Sequence, residues 1–251
     1  MGRPRREIRV GCAGWSIPKE HAAGFPEEGS HLARYSRRFP AVEINTSFYR
    51  PHRPSTYARW ASETPPDFLF AVKAPRTITH ERRLVDAAEP LVRFLDETAS
   101  LGVKRGPLLV QLPPSLAFDP KLAEAFFDLL RRLHDGPVAC EPRHRSWFAP
   151  EAERLLADRA TARVAADPAV VPAASESGGW PGLVYRRLHG SPEMYRSAYP
   201  APELEDLADR LASEADAAPT WCVFDNTAEG AATVDALAVL GRLRRPNGRE
   251  G

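Results

Sequence analysis

The sequence predicts an α/β protein, a single (β/α)8 TIM barrel with eight parallel strands and long irregular loops at its C-terminal face. Eight short apolar or alternating runs recur along the chain, each closed by a polar turn and most followed by a helical pattern. Their starts are spaced by about 30 residues, the length of a βαβ unit. The total of 251 residues matches the roughly 250 residues that one such barrel uses. Strands alternating with helices form parallel sheets, and eight in one short chain favour closure over an open doubly wound sheet. That open sheet is the alternative fold, but no GxGxxG follows the first run to support a dinucleotide site.

The runs cover residues 8–12, 42–46, 68–73, 107–112, 137–141, 162–167, 183–189 and 220–225, and 25 prolines punctuate them. The helices between them are readable. Asp119 before Pro120 is an N-cap followed by proline at the first helical position. Leu122, Phe126, Leu129, Leu130 and Leu133 then form an apolar stripe. Leu91, Phe94, Leu95, Thr98 and Leu101 form another, closed by Gly102 at a C′ position. Residues 203–215 repeat the pattern with Leu204, Leu207 and Leu211, and residues 233–243 with Val234, Leu237, Leu240 and Leu243. Such stripes are core faces. The stretch 168–181, rich in Ala, Ser and Gly, reads as a loop in place of a sixth helix. One domain over 7–243 with flexible tails at 1–6 and 244–251 is expected.

Composition removes several classes. With 34 basic and 33 acidic side chains the net charge is +1, too small for the cationic field of a general nucleic-acid coat. Hydrophobic residues at 43% and charged residues at 27% argue against disorder and fibrous chains. No apolar run approaches the roughly 20 residues that span a bilayer. The basic start, Met1-Gly-Arg-Pro-Arg-Arg, has no apolar stretch behind it, so no signal peptide is expected. Cys12, Cys140 and Cys222 are odd in number and far apart. They read as reduced, packed thiols of a cytoplasmic protein. His21, His31, His52 and His134 lie in loops or on helices and read as incidental.

In this fold the active site gathers at the C-terminal ends of the strands, so polar residues should collect at the ends of the runs. They do, at Glu43 and Asn45, Lys73, Gln111, Glu141 and Arg143 with His144, Asp167, Arg187 and His189, and Asp225 with Asn226. Residues i and i+2 of a strand face the same way. Glu43 with Asn45, Glu141 with Arg143, and Arg187 with His189 therefore share the barrel mouth, while Ile44, Pro142 and Leu188 turn to the helices. The competing reading is a salt-bridge network that only fills the mouth, since buried charges must be paired.

The residues also carry a resemblance. Gly14-Trp15-Ser16, Val42-Glu-Ile-Asn-Thr-Ser-Phe-Tyr49, Trp60 with Thr64-Pro65, and Phe70-Ala-Val-Lys-Ala-Pro75 with Thr79-His80 are its first elements. Gly106-Pro-Leu-Leu-Val-Gln-Leu-Pro-Pro114, Glu141-Pro-Arg-His-Arg-Ser-Trp147, Arg187-Leu-His-Gly190 and Phe224-Asp-Asn226 with Gly230-Ala231 follow in order. The chain resembles the DUF72 (YecE-like) family, from about Ile8 to Leu243. The resemblance implies a TIM barrel and a cytoplasmic protein, and no defined reaction. Two departures stand out: Asn45-Thr46-Ser47 where Asn-Ser-Thr is common, and Asp225 where an amide is common.

Three functional readings follow. The first is an enzyme doing acid/base chemistry, as a hydrolase, lyase or isomerase, on a small polar or anionic substrate. Its catalytic groups would be Glu43, Lys73, Glu141 and His189. Substrate-binding residues would be Asn45, Tyr49, His80, Gln111, Arg143, His144, Trp147, Asp167, Arg187 and Asn226, with the arginines as planar forks for a carboxylate or phosphate. No cofactor is required. The second reading adds a divalent metal on Glu43, Glu141, Asp167 and His189, against which Lys73, Arg143 and Arg187 compete for the same carboxylates. The third, disfavoured by the balanced charge, is a nucleotide or nucleic-acid binding module. It would stack bases on Trp15, Phe48, Tyr49, Trp147 and Tyr199, with Arg50, His52, Arg53, Arg76, Arg82 and Arg83 at the rim. No membrane partner is expected, and oligomeric state is not legible.

Overall fold

The computed structural model describes residues 7–244. Every predicted run forms a strand. β1 (Ile8–Cys12), β2 (Ala41–Ile44), β3 (Leu69–Lys73), β4 (Arg105–Gln111) and β5 (Val138–Glu141) come first. The sixth run is split by Val164 into β6 (Thr161–Arg163) and β7 (Ala165–Asp167). A two-residue β8 (Gly178–Gly179), β9 (Val184–Leu188) and β10 (Thr220–Phe224) complete the set. The helices are α1 (His31–Ser36), α2 (Pro54–Ser62), α3 (Ala88–Ala99), α4 (Pro120–Leu133), α5 (Pro150–Asp158), α6 (Ala201–Glu214) and α7 (Ala231–Arg244). No α-helix follows β7. The expected loop is there, with one 3-10 turn at Pro172–Ser175. Proline opens α2, α4 and α5, where its missing N–H costs nothing. Asp119 accepts from Leu122 N at 3.1 Å, capping α4 as the sequence predicts.

The strands form two sheets, ordered β1-β10-β9-β7 and β2-β3-β4-β5-β6-β8. All pairings are parallel except β6 with β8. This differs from one continuous eight-stranded ladder. The sheets abut at two places. A single parallel bridge joins Ala13 to Glu43, with Gly14 N donating to Glu43 O at 2.9 Å. At the other, β6 runs into β7 through Val164, whose N–H donates to Cys140 O at 2.8 Å.

One face of both sheets packs into a common cluster of Ala13, Ala41, Ala71, Leu109, Ala139, Ala162, Val164, Ala166, Leu183, Tyr185, Trp221 and Val223. The alternate residues, including Val42, Ile44, Val72, Val110 and Leu188, pack with the helices in a larger cluster. This is the two-residue alternation of a strand, apolar on both faces as a covered parallel sheet requires.

Two helices bury most of the predicted stripe on a slightly rotated face, with Leu122, Leu129, Leu237 and Leu243 packed at its margin. In α4 the buried residues are Ala123, Phe126, Phe127 and Leu130, and Leu133 is exposed. In α7 they include Ala232, Ala236, Val239 and Leu240, and Val234 is exposed. Both helices carry two overlapping apolar stripes, and docking on the sheet selects between them. Gly102 takes a left-handed φ of 58° one residue beyond the expected C′ position, because Ser100 caps α3 and Leu101 follows it. Arg244, read as the first tail residue, ends α7; the tails expected at 1–6 and 245–251 lie outside the described residues. Among the described residues, no helix is long and apolar enough to cross a membrane.

Candidate active site

The strands raise their polar residues from a floor of small ones. On the face shared by both sheets, Ala41 precedes Glu43, Ala71 precedes Lys73, Leu109 precedes Gln111, Ala139 precedes Glu141 and Tyr185 precedes Arg187, each by two residues. The alanines leave room for one long side chain to cross the interior, and Arg187 fills it.

Arg187 is fully buried and organises the charges. Its Nη2 and Nε lie 2.7 and 3.1 Å from Glu43 Oε1 and Oε2, a bidentate pair. Its Nη1 donates to Glu141 Oε2 at 2.8 Å, and Nη2 also reaches Asp225 Oδ2 at 3.1 Å. Tyr185 OH donates to Glu43 Oε2 at 2.8 Å, and Gln111 Nε2 to Glu141 Oε2 at 2.9 Å. Arg143 Nη2 lies 2.6 Å from Glu141 Oε1 and 2.5 Å from His189 Nε2. His189 Nδ1 lies 3.0 Å from Asp225 Oδ2, and Nε2 lies 2.9 Å from Glu141 Oε1. His189 thus bridges the two carboxylates through its two ring nitrogens, and Arg143 lies against both His189 and Glu141.

Three acids (Glu43, Glu141, Asp225) thus face three cations (Arg143, Arg187, Lys73). Burial alone would raise the Glu141 carboxyl, but Arg187, then Arg143 and His189, hold it well below the usual carboxylate range. Burial opposes ionisation of Asp225 too, and Arg187 with the His189 hydrogen bond outweighs it. Burial disfavours the Arg187 cation, yet Glu43, Glu141 and Asp225 together keep it firmly charged.

Lys73 stands apart. Among the described residues its Nζ makes no ion pair, because the carboxylates around it are held by guanidinium groups. It sits over the Phe48 ring, 4.2 Å from the centroid. Burial, then repulsion from Arg187, push its ammonium down from 10.5 to about 8, against the pull of Glu43, Asp225 and Glu141. The β3 end is pinned by Ser47 Oγ, which donates to Lys73 O at 2.7 Å.

Above this network opens a cavity of about 510 Å³, lined by Asn45, Phe48, Tyr49, Lys73, Arg76, His80, Gln111, Tyr195, Asp225, Thr227 and Ala228. Asn45 Oδ1 is buried without a hydrogen-bond partner among the described residues. His80 stacks edge-on against Phe48 at 4.9 Å and bonds Thr79 Oγ1 through Nδ1 at 2.8 Å. Burial, Lys73 and Arg76 push its ring towards the neutral form. Tyr195 lies edge-on to His189 at 5.7 Å. A second cavity, of about 470 Å³, lies at the opposite ends of the strands, between Arg9, Leu69, Arg105, Trp180, Leu183 and Trp221.

The structure therefore gathers Glu43, Asn45, Tyr49, Lys73, His80, Gln111, Glu141, Arg143, Arg187 and His189 of the predicted set, with Glu43, Glu141, Arg187 and His189 beneath the cavity floor. Four predicted residues lie elsewhere. Trp147 is buried and donates Nε1–H to Leu116 O at 2.9 Å. His144 Nδ1 pairs with Ser146 Oγ at 2.8 Å and caps a 3-10 turn. Asp167 accepts from Tyr199 OH at 2.7 Å, on the far side of β7. Asn226 Nδ2 donates to Ser197 O at 2.9 Å and Asp235 Oδ2 at 2.7 Å, tying a loop to α7. The strand alternation explains Asn226: Asp225, two residues after Val223, turns to the network, and its neighbour turns away. The same alternation singles out Tyr185, two residues before Arg187. Tyr195, Arg76 and Thr227 come from loops, which carry no such period.

The proposed metal ligands do not form one donor set. Asp167 is apart, and guanidinium groups hold Glu43 and Glu141. Among the described residues no group of three or more His, Cys, Asp or Glu is arranged to hold a metal ion. Of the aromatic residues considered for base stacking, Trp147 and Tyr199 are buried, Trp15 packs edge-on against Trp60 at 4.9 Å, and Tyr49 is exposed.

A family model described as "Protein of unknown function DUF72" matches residues 9–250. The chain belongs to the DUF72 family. Two relatives carry the UPF0759 label. YecE of Escherichia coli K12 is 32% identical over 153 residues, covering 61% of this chain and 54% of that protein. YunF of Bacillus subtilis 168 is 32% identical over 156 residues, covering 57% and 53%. The match thus spans about half the length of either relative. A DUF72 family crystal structure from Enterococcus faecalis V583 superposes with a TM-score of 0.80 at 23% identity, covering 96% of both chains. One from Thermotoga maritima MSB8 gives 0.79 at 25% identity, covering 95% of this chain and 99% of that one. These likenesses place the whole α/β arrangement among DUF72 folds.

Proposed function

We propose that this DUF72 chain is an enzyme doing acid/base chemistry, as a hydrolase, lyase or isomerase, on a small anionic substrate at the C-terminal ends of its strands. The observation that carries this reading is Lys73, a buried amine that lines a cavity, lacks a carboxylate partner among the described residues, and is poised near neutrality. A proton-transfer group works best when its pKa lies near the working pH, and perturbed groups in clefts mark functional sites. Arg76, whose Nε pairs with Glu81 at 3.0 Å, and Asn45 line the same cavity and would supply a cationic and a polar wall for the substrate. Glu43, Glu141, Arg143, Arg187, His189 and Asp225 are then positioning residues, whose mutual ion pairs hold the floor rigid and set the field at Lys73.

The finer architecture belongs to the same proposal: the two sheets act as one closed (β/α)8 barrel. The Ala13–Glu43 bridge, the continuity of β6 and β7 through Val164 and the shared apolar cluster support it. The three buried free thiols support a reducing, cytoplasmic setting.

The test is turnover of a panel of small carboxylated and phosphorylated compounds. A substrate of this site should be converted at a rate that rises with pH through about 8 as Lys73 loses its proton. Lys73→Met should lower kcat by roughly 100-fold or more with the fold intact by circular dichroism. A Lys73→Met protein that keeps the full rate would sink the assignment.

A further inference from the structure

Lys73, Lys19, Lys104 and Lys121 are the four lysines of a chain whose other basic side chains are all arginine. Lys19 and Lys121 are exposed. Lys104 is occupied, its Nζ donating to Ala61 O at 2.6 Å, Thr64 O at 2.7 Å and Thr64 Oγ1 at 3.0 Å. Lys73 alone combines burial with an Nζ that donates no hydrogen bond among the described residues and borders a cavity. Arginine would preserve the charge at this position; only a lysine amine can give up its proton and become a nucleophile.

We propose that Lys73 is the nucleophile of this site, and that the substrate is a small aldehyde or ketone bearing an anionic group, bound covalently as an imine on Nζ. The inference rests on the acid/base reading above and narrows it to lyase or isomerase chemistry at carbon. The amine lone pair attacks the carbonyl carbon, forming the C–N bond while the carbonyl π pair moves to oxygen and takes a proton. The resulting carbinolamine then loses its hydroxyl as water when the nitrogen lone pair forms the C=N bond. Overall one ammonium and one carbonyl give one protonated imine and one water, so no oxidant or cofactor is needed. The protonated imine draws electrons from the adjacent carbon, which weakens its C–H and C–C bonds, and hydrolysis returns the free lysine.

The geometry suits this sequence of steps. Asp225, Gln111 and Tyr195 line the same cavity as Lys73, so a carbinolamine would meet hydrogen-bonding groups. The Asp225 carboxylate is fixed by Arg187 and His189 and gives an iminium a nearby negative charge without capturing the free amine in an ion pair. Arg76 lines the same cavity, and its guanidinium, paired through Nε with Glu81, would meet the substrate's anionic end.

The full chain treated with glyoxylate and sodium cyanoborohydride at pH 7, then digested and analysed by mass spectrometry, tests this. Lys73 should be alkylated at least ~10-fold faster than Lys19 and Lys121, because a larger fraction of its amine is neutral at that pH. Its labelling should rise with pH through about 8. Labelling spread evenly over the exposed lysines, or absent from Lys73, overturns the imine. If Lys73 stays unlabelled yet Lys73→Met abolishes turnover of the substrate panel, the imine falls and the acid/base reading survives.

Discussion

The two ends of the strands hold their arginines in opposite ways. At the C-terminal end Arg187 gives its guanidinium to the carboxylates of Glu43, Glu141 and Asp225. At the N-terminal end the acceptors are mostly backbone carbonyls. Arg9 donates to Pro40 O at 3.1 Å and Asp67 O at 2.7 Å. Arg131 donates to Arg159 O, Gly136 O and Ala160 O at 2.8, 2.8 and 2.9 Å. An arginine on carbonyls ties loops together and can do so anywhere. An arginine on three buried carboxylates concentrates charge in a low-dielectric site, and its repulsion adds to burial in lowering the proton affinity of Lys73. The N-terminal end is built for cohesion, the C-terminal end for a field.

The largest test of this contrast is to remove one arginine from each end. Arg187→Met takes the guanidinium from buried Glu43 and Asp225 and one of two from Glu141, and should cost about 3–5 kcal/mol in urea unfolding. Arg131→Met leaves only neutral carbonyls unpaired and should cost about 1–3 kcal/mol. Equal losses would erase the distinction.

Next in size is an effect of pH centred on the N-terminal end. Burial, then Arg105 and Arg131, push the His134 ring from 6.5 down to about 4, and its Nε2 has no hydrogen-bond partner in the structure. The unfolded chain therefore binds this proton more readily than the folded one. The stability from keeping the ring neutral is present above about pH 6.5, declines as pH falls, and is lost by about pH 4. His134→Gln should flatten the stability profile in that window by roughly 2–3 kcal/mol. Glu141 and Asp225, both depressed, lose their contribution at lower pH, as acidification passes below the ordinary carboxylate range. A profile unchanged by His134→Gln would move the acid sensitivity wholly to the C-terminal end.

The smallest effect is expected at Tyr185, which spans the interior between the ends. Its ring stacks on Trp221 at 6.1 Å and its hydroxyl reaches Glu43. Tyr185→Phe removes one hydrogen bond to a charged group that keeps its guanidinium partner, so about 1–2 kcal/mol is expected. A larger loss would mean that Arg187 alone does not hold Glu43.

Much of the site was legible before any coordinates. Glu43, Lys73, Gln111, Glu141, Arg187 and His189 come from runs whose apolar pattern breaks at the end, and a two-residue period assigns them one face. Asp225 and Tyr185 obey the same period. Trp147 and His144 lie past the end of β5, where the alternation no longer governs direction, whereas Asp167 obeys it and turns away because Ala162, Val164 and Ala166 occupy the interior face. The helix faces of α4 and α7 were ambiguous for a related reason: each carries two stripes, and the surface beneath chooses.

The sequence by itself determined which residues form strands and which of their side chains share a face, because both depend on steric rules acting over two or three neighbours. Only the tertiary structure decided who pairs with whom. Arg187 and Glu43 are 144 residues apart, and their contact follows from the narrow alanine-lined interior between distant strands. That pairing binds the carboxylates to arginine and leaves the Lys73 amine without an ion pair among the described residues.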